Sequence, residues 1–286
     1  MITINSTLKP LAPQIPARPS LSKLPNIKKL FLPDPHFIFC DADLQQADAQ
    51  VVAWDAGVER LKKVFRDPDL DLHTENAKII FGSCPTKSHP NRKRAKAGVH
   101  AVNYHVFAKT LSTALGCTVE EAQNFIDTWL RENPEIARWH ERIFDEMNTR
   151  RYVENKFGGR KYFYDATDKA TSLSEALAWI PQSTVAIVIN KVWEKMDQLD
   201  PRIVRVMMQV HDSLCFQIHQ NHLLEGMEMV RQCFDSVVVP YEDPLVIGSS
   251  IAVGPNWGDV VDCTWDGFII DDDTGHPTTE KIVYLR

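Results

Sequence analysis

No apolar run in these 286 residues approaches the roughly 20 needed to span a bilayer. The N-terminus also lacks the charged-then-apolar layout of a secretory leader. The expectation is a chain that works in the cytoplasm, without a membrane partner. Six cysteines (Cys40, Cys84, Cys117, Cys215, Cys233, Cys263) form no C-x-x-C pair, so neither zinc nor a disulfide framework is indicated and a reducing compartment fits. Phosphate-binding glycine loops and internal repeats are missing too. Nor is there an excess of positive charge: 32 Lys and Arg face 38 Asp and Glu, a net charge of −6. Any grip on a polyanion must therefore come from a local basic patch or from bound cations. What remains, 44% hydrophobic and 24% charged residues, can bury a sizeable core in one large or two ordinary domains.

The segment Ile203–His219 reads as a β-hairpin. Two apolar runs, Ile203–Val210 and Leu214–His219, flank the polar residues His211, Asp212 and Ser213. Period-two alternation puts Val204, Val206, Met208 and Val210 on one face, with Leu214, Phe216 and Ile218 beside them. Asp212 at the tip has two readings. It makes the turn, or it is a carboxylate held rigidly at a strand end to coordinate something.

Residues Met1 to Pro35 contain seven prolines and read as an extended arm or a disordered tail. Phe37–Cys40 reads as a buried strand running into Asp41-Ala42-Asp43-Leu44-Gln45-Gln46-Ala47-Asp48, with a helix to follow. Asp41 and Asp43 share a strand face; equally, the acids could simply favour a helix start. Asp71-Leu72-His73-Thr74 precedes a helix over Ala77–Phe81. A basic segment with Lys87, His89, Arg92, Lys93, Arg94 and Lys96 then becomes a helix from about Asn91. Ala95, Val99, Val102 and Val106 form its core stripe. Arg92, Lys96, His100 and Tyr104 recur every four residues, about 6 Å apart along the axis. Two cations followed by two rings either make a solvated basic face or hold a polyphosphate and stack on a base.

Thr118 and Glu121 form a capping box for a helix to about Arg131, and Asn133-Pro134 opens the next, which carries Ile136, Trp139 and Ile143. Tyr152-Val153, Gly158-Gly159 and Tyr162–Tyr164 suggest a small hairpin with Lys156, Arg160 and Lys161 near its tip. Ser172 and Glu175 repeat the capping box before a long helix that Pro181 should kink, with Gln182 just past it. A helix from about Leu223 to Val238 and a final strand, Leu245–Val253, follow. The acidic tail with Asp271–Asp273 is assigned no chemistry.

Two strand-end acids far apart in sequence, with a row of cations and rings on a helix, suggest nucleotidyl transfer from a nucleoside triphosphate. Converging carboxylates are most stable around divalent cations, and two such ions suit in-line phosphoryl displacement. Asp43–Asp48, the row Arg92–Lys96–His100–Tyr104, and Gln209-Val210-His211-Asp212 resemble, in order and spacing, motifs A, B and C of family A DNA polymerases, with wording closest to phage members. The likeness runs from about Lys29 to Asp259. Asp71-Leu72-His73, Glu135–Glu141, Gly159-Arg160 and Pro255-Asn256-Trp257 also look like family landmarks.

The resemblance implies an α+β right-hand fold: a palm of antiparallel sheet and helices (36–70 and 151–259), helical fingers (71–150), an arm (1–35) and a C-terminal tail (260–286). It implies a DNA polymerase in which Asp43 and Asp212, with the Leu44 carbonyl, hold two Mg²⁺ ions and Lys96 protonates the leaving pyrophosphate. Arg92 and Lys96 would grip the incoming dNTP, Gln46 and Asp48 would lie near it, and His100 and Tyr104 would face the base. Gln209, His211, Gln182 and Arg160 would contact primer and template. Asp41 is an alternative to Asp43, but only Asp43 aligns Gln46 and Asp48 with the family's Gln and Glu.

Departures stand beside the likeness. Asp48 is a methylene shorter than the family's Glu, which bears on ribonucleotide exclusion. Gln50 replaces an Arg, and Ser213 a Glu. His100 replaces a Phe or Tyr, which bears on rejection of dideoxynucleotides. The thumb and the proofreading exonuclease have no counterpart, so the expectation is one chain of a split polymerase whose partner supplies the thumb and perhaps an exonuclease, with the arm as docking segment. Two rivals differ in kind: a non-catalytic, palm-like subunit that binds DNA or replication proteins, and a two-metal nuclease, which has no use for the Arg92–Tyr104 row.

Overall fold

Phe37–Cys40 becomes the middle of a sheet. In the computed structural model, which describes residues 26–84, 86, 88–164, 169–271 and 274–282, strand β1 (Phe37–Leu44) pairs antiparallel with β5 (Ser213–His219) on one side and β8 (Ser249–Gly254) on the other. Ile38, Cys40, Ala42 and Leu44 are buried. In register with them lie Ile218, Phe216 and Leu214 of β5 and Val253 and Ile251 of β8, so all share the helix-covered face. Asp41 and Asp43 belong to the opposite face.

The elements between these strands divide into two blocks. Helix α1 (Ala47–Ala56) leads to α2 (Glu59–Arg66) and then to α3 (Leu72–Phe81), α4 (Pro90–Asn103), α5 (Ala108–Leu115), α6 (Val119–Glu132) and α7 (Pro134–Thr149). Helices α3 to α7 pack on one another. The α6 capping box forms as expected, with Glu121 N donating to Thr118 Oγ1 at 3.1 Å and Thr118 N to Glu121 Oε2 at 2.9 Å. Asn103, at the end of α4, is fastened on both sides: its side-chain oxygen accepts from Trp129 Nε1 at 2.9 Å, and its carbonyl meets His140 Nε2 at 2.9 Å. Trp139 Nε1 donates to Asp55 Oδ2 at 2.7 Å, joining α7 to α1. The helix that carries the cation-and-ring row is thus anchored to the block beneath it.

A hairpin of β2 (Tyr152–Glu154) and β3 (Arg160–Tyr162) leads to α8 (Lys169–Met196), which packs against α1, α7 and the strand pair β4 (Val204–Val210) and β5. By length and composition Thr171–Met196 could cross a membrane, in contrast to the sequence reading; here Leu177, Ile180, Val188, Ile189 and Val192 are buried in the core. The helix continues through Pro181, and the hydroxyl of Thr184 donates to the Ile180 carbonyl at 2.7 Å. Ser172 and Glu175 lie inside α8 rather than capping it, and Glu175 pairs with Lys161 at 2.6 Å. Helix α9 (Leu223–Asp235) lies so close to β5 that a Cβ at Gly226 would come within 2.6 Å of Ile218 Cγ2.

Other expectations change in detail. Asp71-Leu72-His73-Thr74 is the N-cap and first turn of α3, not a lead-in to it. The β4–β5 register shifts between Val206 and Met208, so Met208 and Val210 sit opposite Cys215 and Ser213, away from the face shared by Val204 and Val206. One extra residue in a period-two strand reverses every side chain beyond it. Leu245–Val253 is two strands, β7 (Leu245–Val246), paired with β6 (Val238–Val239), and β8. The segment read as a tail adds β9 (Val261–Cys263), β10 (Phe268–Ile270) and β11 (Pro277–Lys281), completing a seven-stranded sheet of order β11-β10-β9-β8-β1-β5-β4. Of the arm, residues 1–25 lie outside the described residues, as do Lys87, Asp272 and Asp273 of the other segments singled out. Its described end forms a 3-10 turn, Ile27–Leu30, against the chain's own Trp257–Asp259 turn, with Lys29 Nζ 2.6 Å from Asp259 and Lys28 Nζ 4.3 Å over the Trp257 ring.

Candidate active site

Asp43 and Asp212 are brought together by backbone pairing. Asp43 sits opposite Ser213 in the β1–β5 register, and the next backbone N–H, that of Leu44, donates to the Asp212 carbonyl at 3.1 Å. Asp212 occupies a two-residue turn behind His211, whose φ of 55° is the left-handed value such turns require. Burial, then the Asp212 and Asp41 carboxylates, push the Asp43 carboxyl up to about 6. Asp41 is held elsewhere: its Oδ2 accepts from Trp257 Nε1 at 3.0 Å.

At the end of β1 the chain turns through Gln46, in left-handed conformation at φ 49°, directly into α1, while Gln45 N donates to the Gly248 carbonyl at 2.8 Å. Asp48 therefore falls in the first turn of α1, facing α4. The Tyr104 hydroxyl donates to Asp48 Oδ2 at 3.1 Å. Burial raises both groups above their ordinary values; for the Tyr104 phenol the Asp48 charge adds to the rise, whereas its hydrogen bond restrains Asp48. The His100 and Tyr104 rings meet edge to face at 4.7 Å.

These groups line one cleft of about 670 Å³, with Asp43, Leu44, Gln46, Asp48 and Asp212 on the sheet side and Lys96, His100 and Tyr104 on the helix side. Among the lining residues to which the sequence gave no role are the basic side chains Lys93 and His73. Lys93 neighbours the row on α4. His73, in the first turn of α3, has a buried Nδ1 without a hydrogen-bond partner among the described residues. Burial, against the pull of Asp71 and with the push of Arg92 and Lys96, lowers the His73 imidazole to about 4, so it is neutral. Its place in the Asp71-Leu72-His73 landmark was the available signal.

Arg92 lies in the row but does not line the cleft. Its guanidinium makes a two-point pair with Asp71, Nε to Oδ2 at 2.8 Å and Nη2 to Oδ1 at 2.7 Å. Gln209, His211, Gln182 and Arg160 also lie outside it. Gln209 Nε2 donates to the His211 carbonyl at 3.1 Å, keeping both at the Asp212 turn. Gln182 is exposed on α8, and Arg160 pairs with Glu154 on the β2–β3 hairpin. Among the described residues no group of three or more His, Cys, Asp or Glu is arranged to hold a metal ion. The two carboxylates at the strand ends suit a divalent cation in their chemistry: burial first, then the charges of Asp212 and Asp41, disfavours the ionised Asp43, and a cation would offset both.

A family model described as DNA polymerase family A matches residues 6–259. The thermostable DNA polymerase I of Thermus filiformis is 31% identical over 259 residues, which are 88% of this chain and 30% of that protein. DNA polymerase I of Deinococcus radiodurans is 28% identical over 261 residues, 89% of this chain and 27% of its own. The chain thus spans under a third of the length of these relatives. Among solved structures, the POL domain of Pol1 from M. smegmatis in complex with DNA primer-template and dNTP matches with a TM-score of 0.74 over 85% of this chain and 44% of that one, at 22% identity. The fold is shared, and the expected α+β architecture of antiparallel sheet and helices holds.

Proposed function

This chain belongs to DNA polymerase family A, and on that premise we propose that it adds deoxynucleotides to a primer 3′ end as directed by a template. The observation that carries this reading is the meeting of Asp43 and Asp212 in one cleft with Lys96, His100 and Tyr104. Asp43, Asp212 and the Leu44 carbonyl would hold two Mg²⁺ ions, whose charge would neutralise the oxygens of an in-line displacement. The primer 3′-hydroxyl gives up its proton to solvent as its oxygen forms a bond to the α-phosphorus, the bond from that phosphorus to its bridging oxygen breaks, and pyrophosphate leaves.

The chain's own residues then have separable tasks. Lys96 neutralises the triphosphate and gives a proton to the departing pyrophosphate. Arg92 joins it by exchanging Asp71 for phosphate oxygens, and neutral His73 offers a nitrogen to the same group. His100 and Tyr104 present ring surface to the incoming and templating bases. Gln46 and Asp48 face the sugar, with the shorter Asp48 setting how firmly a 2′-hydroxyl is refused. Gln209 and His211, beside Asp212, hold the primer end, while Gln182 and Arg160 run along the template-primer.

The finer reading is a phage-type member acting as one chain of a split polymerase. A second chain would carry the thumb, which supplies duplex grip through phosphate contacts, and perhaps an exonuclease. Its support is that the match takes in 30% of the Thermus filiformis protein and 44% of the solved POL domain chain.

Primer extension with Mg²⁺ and dNTPs, with and without the co-encoded neighbour protein, tests both levels. Mg²⁺-dependent incorporation that Asp212→Ala abolishes is expected, feeble alone and increased by the partner. DNA binding without incorporation under both conditions would identify a non-catalytic palm. Robust, processive synthesis by the lone chain would reject the split.

A further inference from the structure

The β2–β3 hairpin carries side chains that packing does not explain. Tyr162 and Tyr164 are 48% and 74% exposed. Their rings are parallel, 1° between planes and 5.5 Å between centroids, and Tyr152 adds a third ring 5.5 Å from Tyr162. The Arg160 guanidinium lies 4.7 Å over Tyr152. Residues 150–164 hold five cations (Arg150, Arg151, Lys156, Arg160, Lys161) against the single acid Glu154, in a chain of net charge −6. Exposed flat rings among cations are what unpaired nucleic acid needs: the rings stack on base faces regardless of sequence, and the cations follow the phosphates. A duplex offers no such faces, because its bases already stack on each other.

The hairpin that bears these rings is fastened, through Lys161 on its other face, to the helix bordering a cleft beside the candidate active site. Lys161 pairs with Glu175 of α8 at 2.6 Å. The adjacent Ser174, with Thr171, closes a second cleft of about 410 Å³ together with Tyr104, His105 and Phe107. Tyr104 lines both clefts, and Phe107 is 57% exposed.

We propose that Tyr152, Tyr162 and Tyr164 form a stacking surface for unpaired DNA bases, guiding single-stranded template towards the cleft. The guiding role rests on the polymerase reading; the stacking surface is tested without it. The probe is a fluorescent oligo(dT) of about 12 nucleotides, within the range a stacking groove covers, with one thymine replaced by photoreactive 5-iodouracil. With the full chain, crosslinks to Tyr162 or Tyr164 are expected. The double substitution Tyr162→Ala/Tyr164→Ala is expected to weaken binding about fivefold or more, whereas Tyr162→Phe/Tyr164→Phe retains it. Binding unchanged by the alanine pair, or no oligo(dT) binding by the parent chain, overturns the proposal and leaves the ladder as a protein-contact surface. Incorporation of dNTPs is read separately in the same preparations, so failure of the polymerase reading and failure of the ladder give different results.

Discussion

Arg92 grips Asp71 at two points, 2.8 and 2.7 Å, while the same carboxylate caps α3 by accepting from Thr74 N at 2.8 Å. Although burial works the other way, the Arg92 and Thr74 hydrogen bonds hold the Asp71 carboxyl well below the usual range. A triphosphate must compete with Asp71 for Arg92. Asp71→Asn keeps an acceptor for the cap but removes the charge. The expected result is a dNTP KM lowered by up to about fivefold, since a partly exposed ion pair is worth roughly 1 kcal/mol at most. Steady-state primer extension measures it, and a raised KM would show that Asp71 positions Arg92 for the substrate.

Asp43 should make the cation-free protein pH-sensitive. Its folded value of about 6 lies above the ordinary carboxylate value, so between roughly pH 4 and 6 the folded chain binds more protons than the unfolded one. Stability from this group therefore falls as pH rises through that window. Thermal unfolding in EDTA should show the fall, Asp43→Asn should flatten it, and added Mg²⁺ should reverse it by favouring the ionised form. A pH profile that is the same for parent and Asp43→Asn would count against the paired acids.

Lys96 faces the cleft and, among the described residues, makes no ion pair with a carboxylate, unlike Arg92. As a proton donor to pyrophosphate it should contribute about 10²- to 10⁴-fold to kcat. Lys96→Ala should lose that factor in single-turnover incorporation. Lys96→Arg, which keeps the charge but gives up its proton poorly, should bind dNTP and still react slowly. Equal rates in parent and Lys96→Arg would restrict Lys96 to charge neutralisation.

Gly98 sets how closely α4 approaches α6. A Cβ there would lie 2.3 Å from Phe125 Cζ. Gly98→Ala gains helix propensity but overpacks this contact, which costs about 1–3 kcal/mol. Urea unfolding should show net destabilisation, partly relieved by Phe125→Leu. Because Lys96 and His100 flank Gly98 on the same helix, dNTP binding should weaken in the single variant and recover in the double.

Legibility followed distance along the chain. The Thr118/Glu121 capping box, the apolar stripe Ala95–Val99–Val102 and the short turn holding Asp212 all depend on residues within a few positions of each other and formed where expected, although Val106, expected in the stripe, lies past the end of α4 and is half-buried. The pairing of Arg92 with Asp71 spans 21 positions and could not be read from the helix row alone. The bulge in β4 was hidden because Met208 and Val210 suit either face of a strand. Strands β9 and β10 have three residues each, too few to display a period.

Sequence by itself determined which of the longer stretches became strand or helix, because apolar spacing fixes the buried side of such an element before any partner is chosen. Strand periodicity left Asp41 and Asp43 equivalent, since two residues apart they face the same way on any strand, and only the likeness to the family's motif favoured Asp43. The tertiary structure gives the physical separation, through the cross-strand bond from Leu44 to Asp212 and the indole bond that ties Asp41 to Trp257. Register is a property of two strands together, and neither strand carries it alone.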